Sequence, residues 1–166
     1  MSNFASRVGE SGKAMELRSG AFSDGGSIPA LYACDGRDIM PALEFVNVPT
    51  EAKTLVLIMD DHDVPKHLKS DGVWDHLVVF NVDPLSAGVV EGGRAHGTYG
   101  INSSGSTDYQ GPCPPDREHR YIFRLYALDH AITLMEGATK AEVLEAMDGH
   151  VIAVAELLGR YDRSHR

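Results

Sequence analysis

The stretch KTLVLIMDDHDVPKHLKSDGVWDHLVVFNV, residues 53–82, contains two nearly continuous apolar runs separated by a polar turn. Both runs, KTLVLIMD (53–60) and VWDHLVVFNV (73–82), are short and bounded by Asp, Pro or Gly, which favours strands over helices. Apolar character without alternation is typical of a strand that is covered on both faces. We therefore expect these two strands near the centre of a sheet.

Three further runs have the composition of strands. They are short, rich in apolar and β-branched or aromatic residues, and end at turn-forming residues. These runs are KAMELRS (13–19), LEFVNV (43–48) and RYIFRLYAL (120–128). Together with the central pair they predict a chain in which strands dominate.

The pattern becomes helical after residue 138. The segment TKAEVLEAMDG (139–149) begins with Thr139 as a candidate N-cap and has Glu142 three residues later, the arrangement of a capping box. In HVIAVAELLGRY (150–161) four apolar residues share one helical face, which predicts a second helix. They are Val151, Val154, Ala155 and Leu158. Many strands followed by two late helices indicate a β-dominated α+β fold.

Size and charge narrow the possible functions. The 166 residues, 43% of them apolar, fit one domain spanning residues 1–166, in which we expect residues 1–12 to be disordered. The formal charge of −9 disfavours nonspecific attraction to nucleic acid or to an anionic membrane surface. An anionic ligand would therefore have to be captured by local groups.

Apolar segments predict the cellular location, and the location in turn predicts the state of the cysteines. No apolar run has the length of a signal-peptide core or of a membrane span, which indicates a cytoplasmic protein. The two cysteines, Cys34 and Cys113, are too few for a disulfide-stapled scaffold. In a reducing compartment we expect both to be free thiols.

The polar turn after the first central strand contains possible metal ligands. Asp61, His62, Asp63, His67 and His76 are residue types that bind zinc or iron. Alternate side chains of a strand point to opposite faces, so Asp61 and Asp63 can share a side while His62 points away. His67 belongs to a Lys-rich turn that we expect to be exposed. We therefore expect no resident metal or other cofactor, and a metal-assisted hydrolase remains an alternative.

A nucleophilic enzyme has little support in the sequence. No G-x-S-x-G elbow is present, and Cys113 has no activating base close in sequence. Paired carboxylates near a histidine can perform acid–base chemistry when their pKa values differ strongly, but no pattern indicates such a difference. Structural roles are also open, because Asp61 and Asp63 suit a turn before Pro65 and Trp74 suits a core.

A small anion-binding pocket is the third possibility. The rings of His76 and His119 can donate N–H groups, Tyr121 can donate its hydroxyl, and a turn at Gly111 can expose backbone N–H groups. A nearby carboxylate can accept a proton from a phosphate oxygen or orient a histidine. Such a site would select a monoprotonated phosphate or a phosphomonoester.

Several motifs together resemble one family. DHDVP (61–65 with Asp61 first) resembles the D-P-D-A-P motif of the phosphatidylethanolamine-binding proteins, which include the Raf kinase inhibitor proteins. WDHLVVFN (74–81) resembles their W-x-H-x-x-V-x-N strand. Three further segments resemble motifs of the bacterial and archaeal branch of that family. They are GIN (100–102) for G-x-N, YQGPCPP (109–115) for Y-x-G-P-C-P-P, and HRYIFRLYALD (119–129) for H-R-Y-x-F-x-x-Y-A-L-D. The last segment, 150–161, is similar to the last helix of that branch.

This resemblance implies a fold and a site. The fold would be a large central β-sheet packed on a smaller sheet, with peripheral and C-terminal helices. The site would be a shallow pocket for phosphate-like anions without established catalysis, and bacterial relatives often form homodimers. The pocket residues carried over by position are Asp61, Asp63, His76, Gly111 and His119, with Tyr121 nearby and Tyr161 from the C-terminal segment.

Four residues depart from the family pattern. His62 replaces a proline and Val64 replaces the usual alanine, so the turn gains a titratable group beside the pocket. In the segment CDGRDIMPAL (34–43), Asp38 replaces an asparagine and Met40 replaces a serine. These changes affect the wall opposite the pocket.

The sequence therefore leads to one main hypothesis and two alternatives. The main hypothesis is a cytoplasmic, non-enzymatic protein that binds phosphate, a phosphomonoester or a phospholipid headgroup. The first alternative is a protein-interaction regulator of the kinase-inhibitor or serine-protease-inhibitor type, with segment 84–119 as the partner surface. The second is the metal-assisted hydrolase that uses Asp61, His62 and Asp63.

Overall fold

Two β-sheets form the fold in a computed structural model that describes residues 13–163. The expected disorder of residues 1–12 lies outside the described residues. The nine strands are β1 (Glu16–Arg18), β2 (Gly26–Ser27), β3 (Leu43–Val46), β4 (Thr54–Asp61), β5 (Trp74–Val82), β6 (Gly88–Val89), β7 (Thr98–Tyr99), β8 (His119–Leu128) and β9 (Val151–Tyr161). A 3-10 helix covers Ala30–Tyr32, and the α-helix α1 covers Lys140–Met147.

The larger sheet has six strands in the order β2-β9-β8-β4-β5-β7, and the smaller has three in the order β1-β3-β6. All neighbouring strands are antiparallel except β2 and β9, which are parallel. The five strands predicted from the apolar runs are all present. The β-dominated α+β prediction, with a large sheet and a smaller one, is confirmed.

Strand β4 explains why the two sheets pack as they do. Every residue of β4 is buried, and its side chains alternate between two apolar clusters. Leu55, Leu57 and Met59 face the cluster that includes residues of the small sheet. Val56 and Ile58 face a second cluster with α1. Continuous apolar sequence therefore reflects burial on both faces, as the sequence predicted.

Helix α1 forms where the capping box predicts it. The Thr139 hydroxyl accepts a hydrogen bond from the Glu142 backbone N–H, and the Glu142 carboxylate accepts one from the Thr139 N–H. The reciprocal bonds satisfy two of the donors that a helix start leaves unpaired. Within residues 13–163, no helix has the length and apolar character needed to cross a bilayer.

The predicted C-terminal helix is wrong, because residues 151–161 form β9. Their burial alternates, with Ala153, Ala155, Leu157 and Tyr161 buried on one face. The helical spacing of the four apolar residues therefore does not reflect the structure of this segment. Antiparallel pairing along the whole of β8 stabilises the extended form, whereas an isolated helix of this length is only marginally stable in water.

The expectation of two free thiols is also wrong. Cys34 and Cys113 form a disulfide whose sulfur atoms lie 2.07 Å apart, and no cysteine is left unpaired. The partners are 79 residues apart in sequence, so no local spacing motif could reveal them. Structural disulfides are typical of oxidising compartments, and the cytoplasmic location stays a prediction.

Candidate functional site

A cavity of about 220 Å³ opens where β4, β5 and β8 meet the segment before β8. This volume suits a small ligand rather than a drug-sized one. Its lining consists of a polar floor and an apolar wall. The lining residues are Asp61, Val64, Leu68, Trp74, His76, Gln110, Gly111, Cys113, Pro114, Pro115, His119 and Tyr121.

Five of the seven site residues expected from the sequence line this cavity. They are Asp61, His76, Gly111, His119 and Tyr121. Strand register explains part of this grouping, because Asp61 at the end of β4 pairs with Tyr121 of β8 on one side and with Trp74 of β5 on the other. The sheet thus brings together residues that are up to 60 positions apart.

His76 reaches the floor because it is the extra residue of a β-bulge. Met59 pairs with Leu77 and Asp60 pairs with Asp75, so His76 has no opposite residue on β4. Bulges of this kind redirect a side chain, and they are frequent beside functional sites. The ring of His76 packs edge-on against Tyr121 at a centroid distance of 5.3 Å.

The hydrogen bond of His76 defines its tautomer. Its Nδ1 lies 2.7 Å from the carbonyl oxygen of Gln110, and since a carbonyl only accepts, Nδ1 must donate. Burial, the largest influence, lowers the pKa of His76 and favours the neutral ring. In the neutral ring Nε2 carries a lone pair. That atom can accept a proton or a hydrogen bond from a ligand.

His119 lies between two carboxylates. Its Nδ1 is 2.6 Å from Asp61 Oδ2, and its Nε2 is 2.6 Å from Asp116 Oδ1. Each nitrogen of the ring is thus in hydrogen-bond contact with a carboxylate oxygen. The same contact lowers the pKa of Asp116, with the hydrogen bond from His119 as the main cause. Both ring nitrogens are therefore engaged by carboxylates, and His119 has no nitrogen left to donate to a ligand as the sequence suggested.

Asp61 is fixed by contacts on both of its oxygens. Oδ2 holds His119, and Oδ1 accepts the backbone N–H of Asp63 at 2.8 Å. Only 3% of Asp61 is exposed. It therefore orients the histidine and supplies negative charge to the cavity floor.

Gly111 contributes close backbone packing rather than a free donor. Its N–H donates to Asp38 Oδ1 at 2.7 Å, so it is not directed at a ligand as the sequence suggested. A Cβ at this position would lie 2.1 Å from the Tyr32 carbonyl oxygen and 2.3 Å from Asp38 Oδ1. Only glycine fits where these two segments meet.

Asp63 and Tyr161 lie outside the cavity lining. Asp63 accepts hydrogen bonds from the backbone and guanidinium of Arg120, whose side-chain hydrogen bond lowers the Asp63 pKa to about 2. The hydroxyl of Tyr161 donates to Asp35 Oδ2 at 2.5 Å. Burial, followed by this hydrogen bond, raises the pKa of Tyr161 to about 12. Both residues support the surroundings of the site.

His62 and the neighbouring acids face different partners. The Nε2 atom of His62 lies 3.1 Å from Asp60 Oδ1, on a carboxylate that also holds Arg124 and Lys140. Asp61 and Asp63 hold His119 and Arg120 instead. The three residues therefore do not point to one common ion, which agrees with the strand-alternation argument. His67 is exposed, as expected.

Sequence reasoning missed the wall of the cavity. Trp74 was interpreted as a core residue, but it is half-buried, lines the cavity, and donates its indole N–H to Gln110 Oε1 at 2.7 Å. Pro114 and Pro115 form the facing part of the wall, and the disulfide at Cys113 ties this segment to residue 34. The dense G-P-C-P-P run was the available signal for a rigid rim.

Comparison with known proteins gives the family. The family model for phosphatidylethanolamine-binding protein matches residues 18–162. The chain belongs to the phosphatidylethanolamine-binding protein family. A UPF0098 protein of Chlamydia trachomatis serovar D is 49% identical over 149 residues, covering 90% of this chain and 99% of the relative. A UPF0098 protein of Methanothermobacter thermautotrophicus is 48% identical over 155 residues, with the same coverage of each chain.

Solved structures agree with this assignment. The crystal structure of a phosphatidylethanolamine-binding protein homologue from Chlamydia trachomatis superposes with a TM-score of 0.89 at 49% identity, covering 91% of this chain and 99% of that one. YbcL of E. coli, described as a new member of the mammalian PEBP family, has a TM-score of 0.81 at 23% identity. It covers 90% of this chain and 99% of its own, and at this identity it shows the fold alone.

Proposed function

We propose that the cavity binds the phosphoryl group of a small phosphomonoester, and that the protein acts by binding rather than by catalysis. One observation carries the proposal: His76 is buried, donates through Nδ1 to Gln110, and keeps Nε2 for a ligand. Within the described residues, no hydrogen bond of this Nε2 atom is found. A phosphate oxygen that carries a proton is the matching partner.

The charges around the cavity favour a monoprotonated ligand. Within residues 13–163, the lining contains Asp61 but neither arginine nor lysine. The ring of His119 is already shared by two carboxylates. A phosphate dianion would meet a carboxylate without an unpaired cation to offset it. A monoanion reduces that repulsion and supplies the proton that His76 Nε2 accepts.

The apolar wall supports an ester rather than inorganic phosphate. Leu68, Trp74, Pro114 and Pro115 can cover an organic group attached to the phosphoryl oxygen. The face of Trp74 also suits either an aromatic group or an ammonium group. Phosphotyrosine and phosphoethanolamine are therefore informative probes, and each should bind more tightly than phosphate.

The side chains also favour binding over catalysis. Cys113 lines the cavity but is held in a disulfide, so it offers no thiolate nucleophile. Among the described residues that line the cavity, none is a serine or a threonine. Both nitrogens of His119 are occupied, which leaves His76 as the one lining histidine with an available lone pair.

Isothermal titration calorimetry tests this function. Phosphate, phosphoethanolamine and phosphotyrosine are titrated at pH 6 into the wild type, into H76A, and into H67A, which removes an exposed histidine outside the lining. We expect one site per chain, tightest for an ester, weakened about tenfold or more in H76A and unchanged in H67A. Absence of binding by the wild type, or equal binding by H76A, would reject the proposal. Release of phosphate, followed by phosphorus NMR, would reject the non-enzymatic part.

A further inference from the structure

Three metal-ligating side chains converge far from the cavity. Asp129 and His130 follow the end of β8, and His150 immediately precedes β9. One ligand atom from each residue lies within 4.8 Å of the other two. Among residues 13–163, this is the one group of three His, Cys, Asp or Glu residues that meets this distance.

Backbone hydrogen bonds hold all three residues in place. The Asp129 N–H donates to the carbonyl of His150 at 3.0 Å, and the His150 N–H donates to the carbonyl of Met147 at 2.9 Å. The Thr54 hydroxyl donates to the carbonyl of His130 at 2.7 Å. A ligand at this position therefore meets side chains whose backbones are already ordered, which lowers the entropic cost of binding.

The three side chains lie close to one another. His150 Nδ1 lies 2.8 Å from Asp129 Oδ1, while His130 Nδ1 lies 4.0 Å from the same oxygen. The imidazole rings stack with centroids 3.7 Å apart. Ligand atoms bound to one zinc ion at about 2.0 to 2.2 Å stand roughly 3 to 3.5 Å from each other. The two histidine–aspartate separations bracket this value. Imidazole lone pairs lie in the ring plane, so at least one of the stacked rings must turn out of the stack for both histidines to bind the same ion.

A second observation concerns one ring nitrogen of His130. The Nδ1 atom of His130 is buried, and within the described part of the chain it has no hydrogen-bond partner. A buried nitrogen without a partner is costly and calls for an explanation. The side chains of Asp129, His130 and His150 are nevertheless 49%, 33% and 44% exposed, so an ion can reach the group from solvent.

We propose that Asp129, His130 and His150 bind one Zn²⁺ ion. Two imidazoles and one carboxylate suit zinc and its first-row neighbours, whereas Mg²⁺ and Ca²⁺ prefer sites made of oxygen alone. Coordination through Nδ1 replaces the hydrogen bond between His150 and Asp129. A neutral His150 ring that binds through Nδ1 carries its single proton on Nε2. Three protein ligands leave the fourth position of a tetrahedral ion to water.

The bound ion would cross-link two segments of the fold. It joins the end of β8 to the start of β9, across the connection that contains α1. The unfolded chain lacks a preformed site, so the bound ion stabilises the folded state. The ten residues of β8 separate this site from His119 by about 30 Å. It is therefore independent of the phosphomonoester cavity.

Calorimetric titration of zinc chloride into tag-free, metal-stripped protein tests the site. We expect one ion per chain, and at least about tenfold weaker binding by D129N, H130Q and H150Q. H67Q and H96Q each remove one exposed histidine elsewhere and should leave the affinity unchanged. Magnesium chloride should produce no binding heat.

Thermal unfolding separates metal binding from a structural role of the side chains. Zinc should raise the melting temperature of the wild type, H67Q and H96Q, and raise it far less in D129N or H150Q, even where a variant has a lower starting value. Cobalt chloride should give the visible absorption of a four-coordinate ion in the wild type, H67Q and H96Q, and should not do so in D129N or H150Q. The proposal is overturned by no zinc binding at millimolar concentration, by equal binding in the three ligand variants, or by a loss in H67Q or H96Q.

Discussion

Asp38 Oδ1 accepts the backbone N–H of Gly111 at 2.7 Å, which joins a loop near the start of the chain to the floor of the cavity. Asp38 has a φ of 56°, a conformation in which Asp and Asn are favoured over most residues. The family pattern that the sequence resembles has asparagine here. Since an asparagine side-chain oxygen can accept the same hydrogen bond, the departure preserves the contact.

Substitutions at Asp38 should separate the effect of its hydrogen bond and backbone conformation from the effect of its charge. D38N should keep the free energy of unfolding within about 0.5 kcal/mol of the wild type, because both the hydrogen bond and the backbone preference remain. D38A should lose about 1 to 3 kcal/mol, since the buried N–H of Gly111 is left without a partner. Urea denaturation measures both values. A D38N loss as large as that of D38A would show that the carboxylate charge matters instead.

Asp63 should make stability depend on acid pH. Its pKa falls from the ordinary value of 3.8 to about 2 in the folded state, mainly through the Arg120 hydrogen bond. A lowered pKa stabilises the fold above pH 3.8, and this contribution disappears as the pH falls through about 2. Because solvent screens the charge of Arg120, we expect the lowered pKa of Asp63 to contribute only about 1 kcal/mol to the free energy of unfolding at neutral pH.

The variant D63N provides the comparison for this acid dependence. Urea unfolding of the wild type and D63N between pH 2 and 6 should show a constant difference near neutrality that narrows below about pH 4. R120Q should reproduce most of the D63N loss, because it removes the other half of the same ion pair. A difference that stays constant down to pH 2 would contradict this account.

Reduction of the Cys34–Cys113 disulfide should destabilise the fold and loosen the cavity rim. A link across 79 residues contributes about 4 kcal/mol in the chain-entropy description. Because Cys113 lines the cavity, ligand affinity should fall as well. Urea denaturation and calorimetry with and without reductant measure the two effects. The C34S/C113S double variant is the control: it should match the reduced wild type and should not respond to reductant.

Ligand affinity should decrease as pH rises through neutrality. His76 is neutral because burial lowers its pKa, and free phosphomonoesters lose their second proton at about pH 6. The complex contains one proton between His76 Nε2 and the phosphoryl oxygen, so binding above this pH requires proton uptake. The dissociation constant should rise about tenfold per pH unit between pH 7 and 9. A constant value over that range would mean that the dianion binds without a proton.

The sequence predicted the strands well where burial alone determines them. The apolar runs of β4 and β5 carry their own signal, and so does the capping box at Thr139. β9 was misread because Val151, Val154, Ala155 and Leu158 fit a helical face equally well. What decides its structure is the long pairing with β8, a tertiary interaction that a local pattern does not contain.

The sequence predicted which residues lie together in the cavity lining better than it predicted their contacts. The family motifs located His76, His119 and Gly111 in one place, and all three line the cavity. Their hydrogen-bond partners could not be inferred. Asp38 takes the Gly111 N–H across 73 positions, and Asp116 takes the second nitrogen of His119. The available lone pair of His76 depends on a bulge and a carbonyl that only the folded chain brings together.

The nitrogen resonances of the His76 ring test the central claim most directly. In protein with ¹⁵N-labelled histidine, free His76 should show a protonated Nδ1 and an unprotonated Nε2. Saturation with phosphoethanolamine or phosphotyrosine should move the Nε2 resonance towards the protonated form, with His67 unchanged. An Nε2 resonance that stays unaltered at saturating ligand, or a free state protonated on Nε2 alone, would contradict the account.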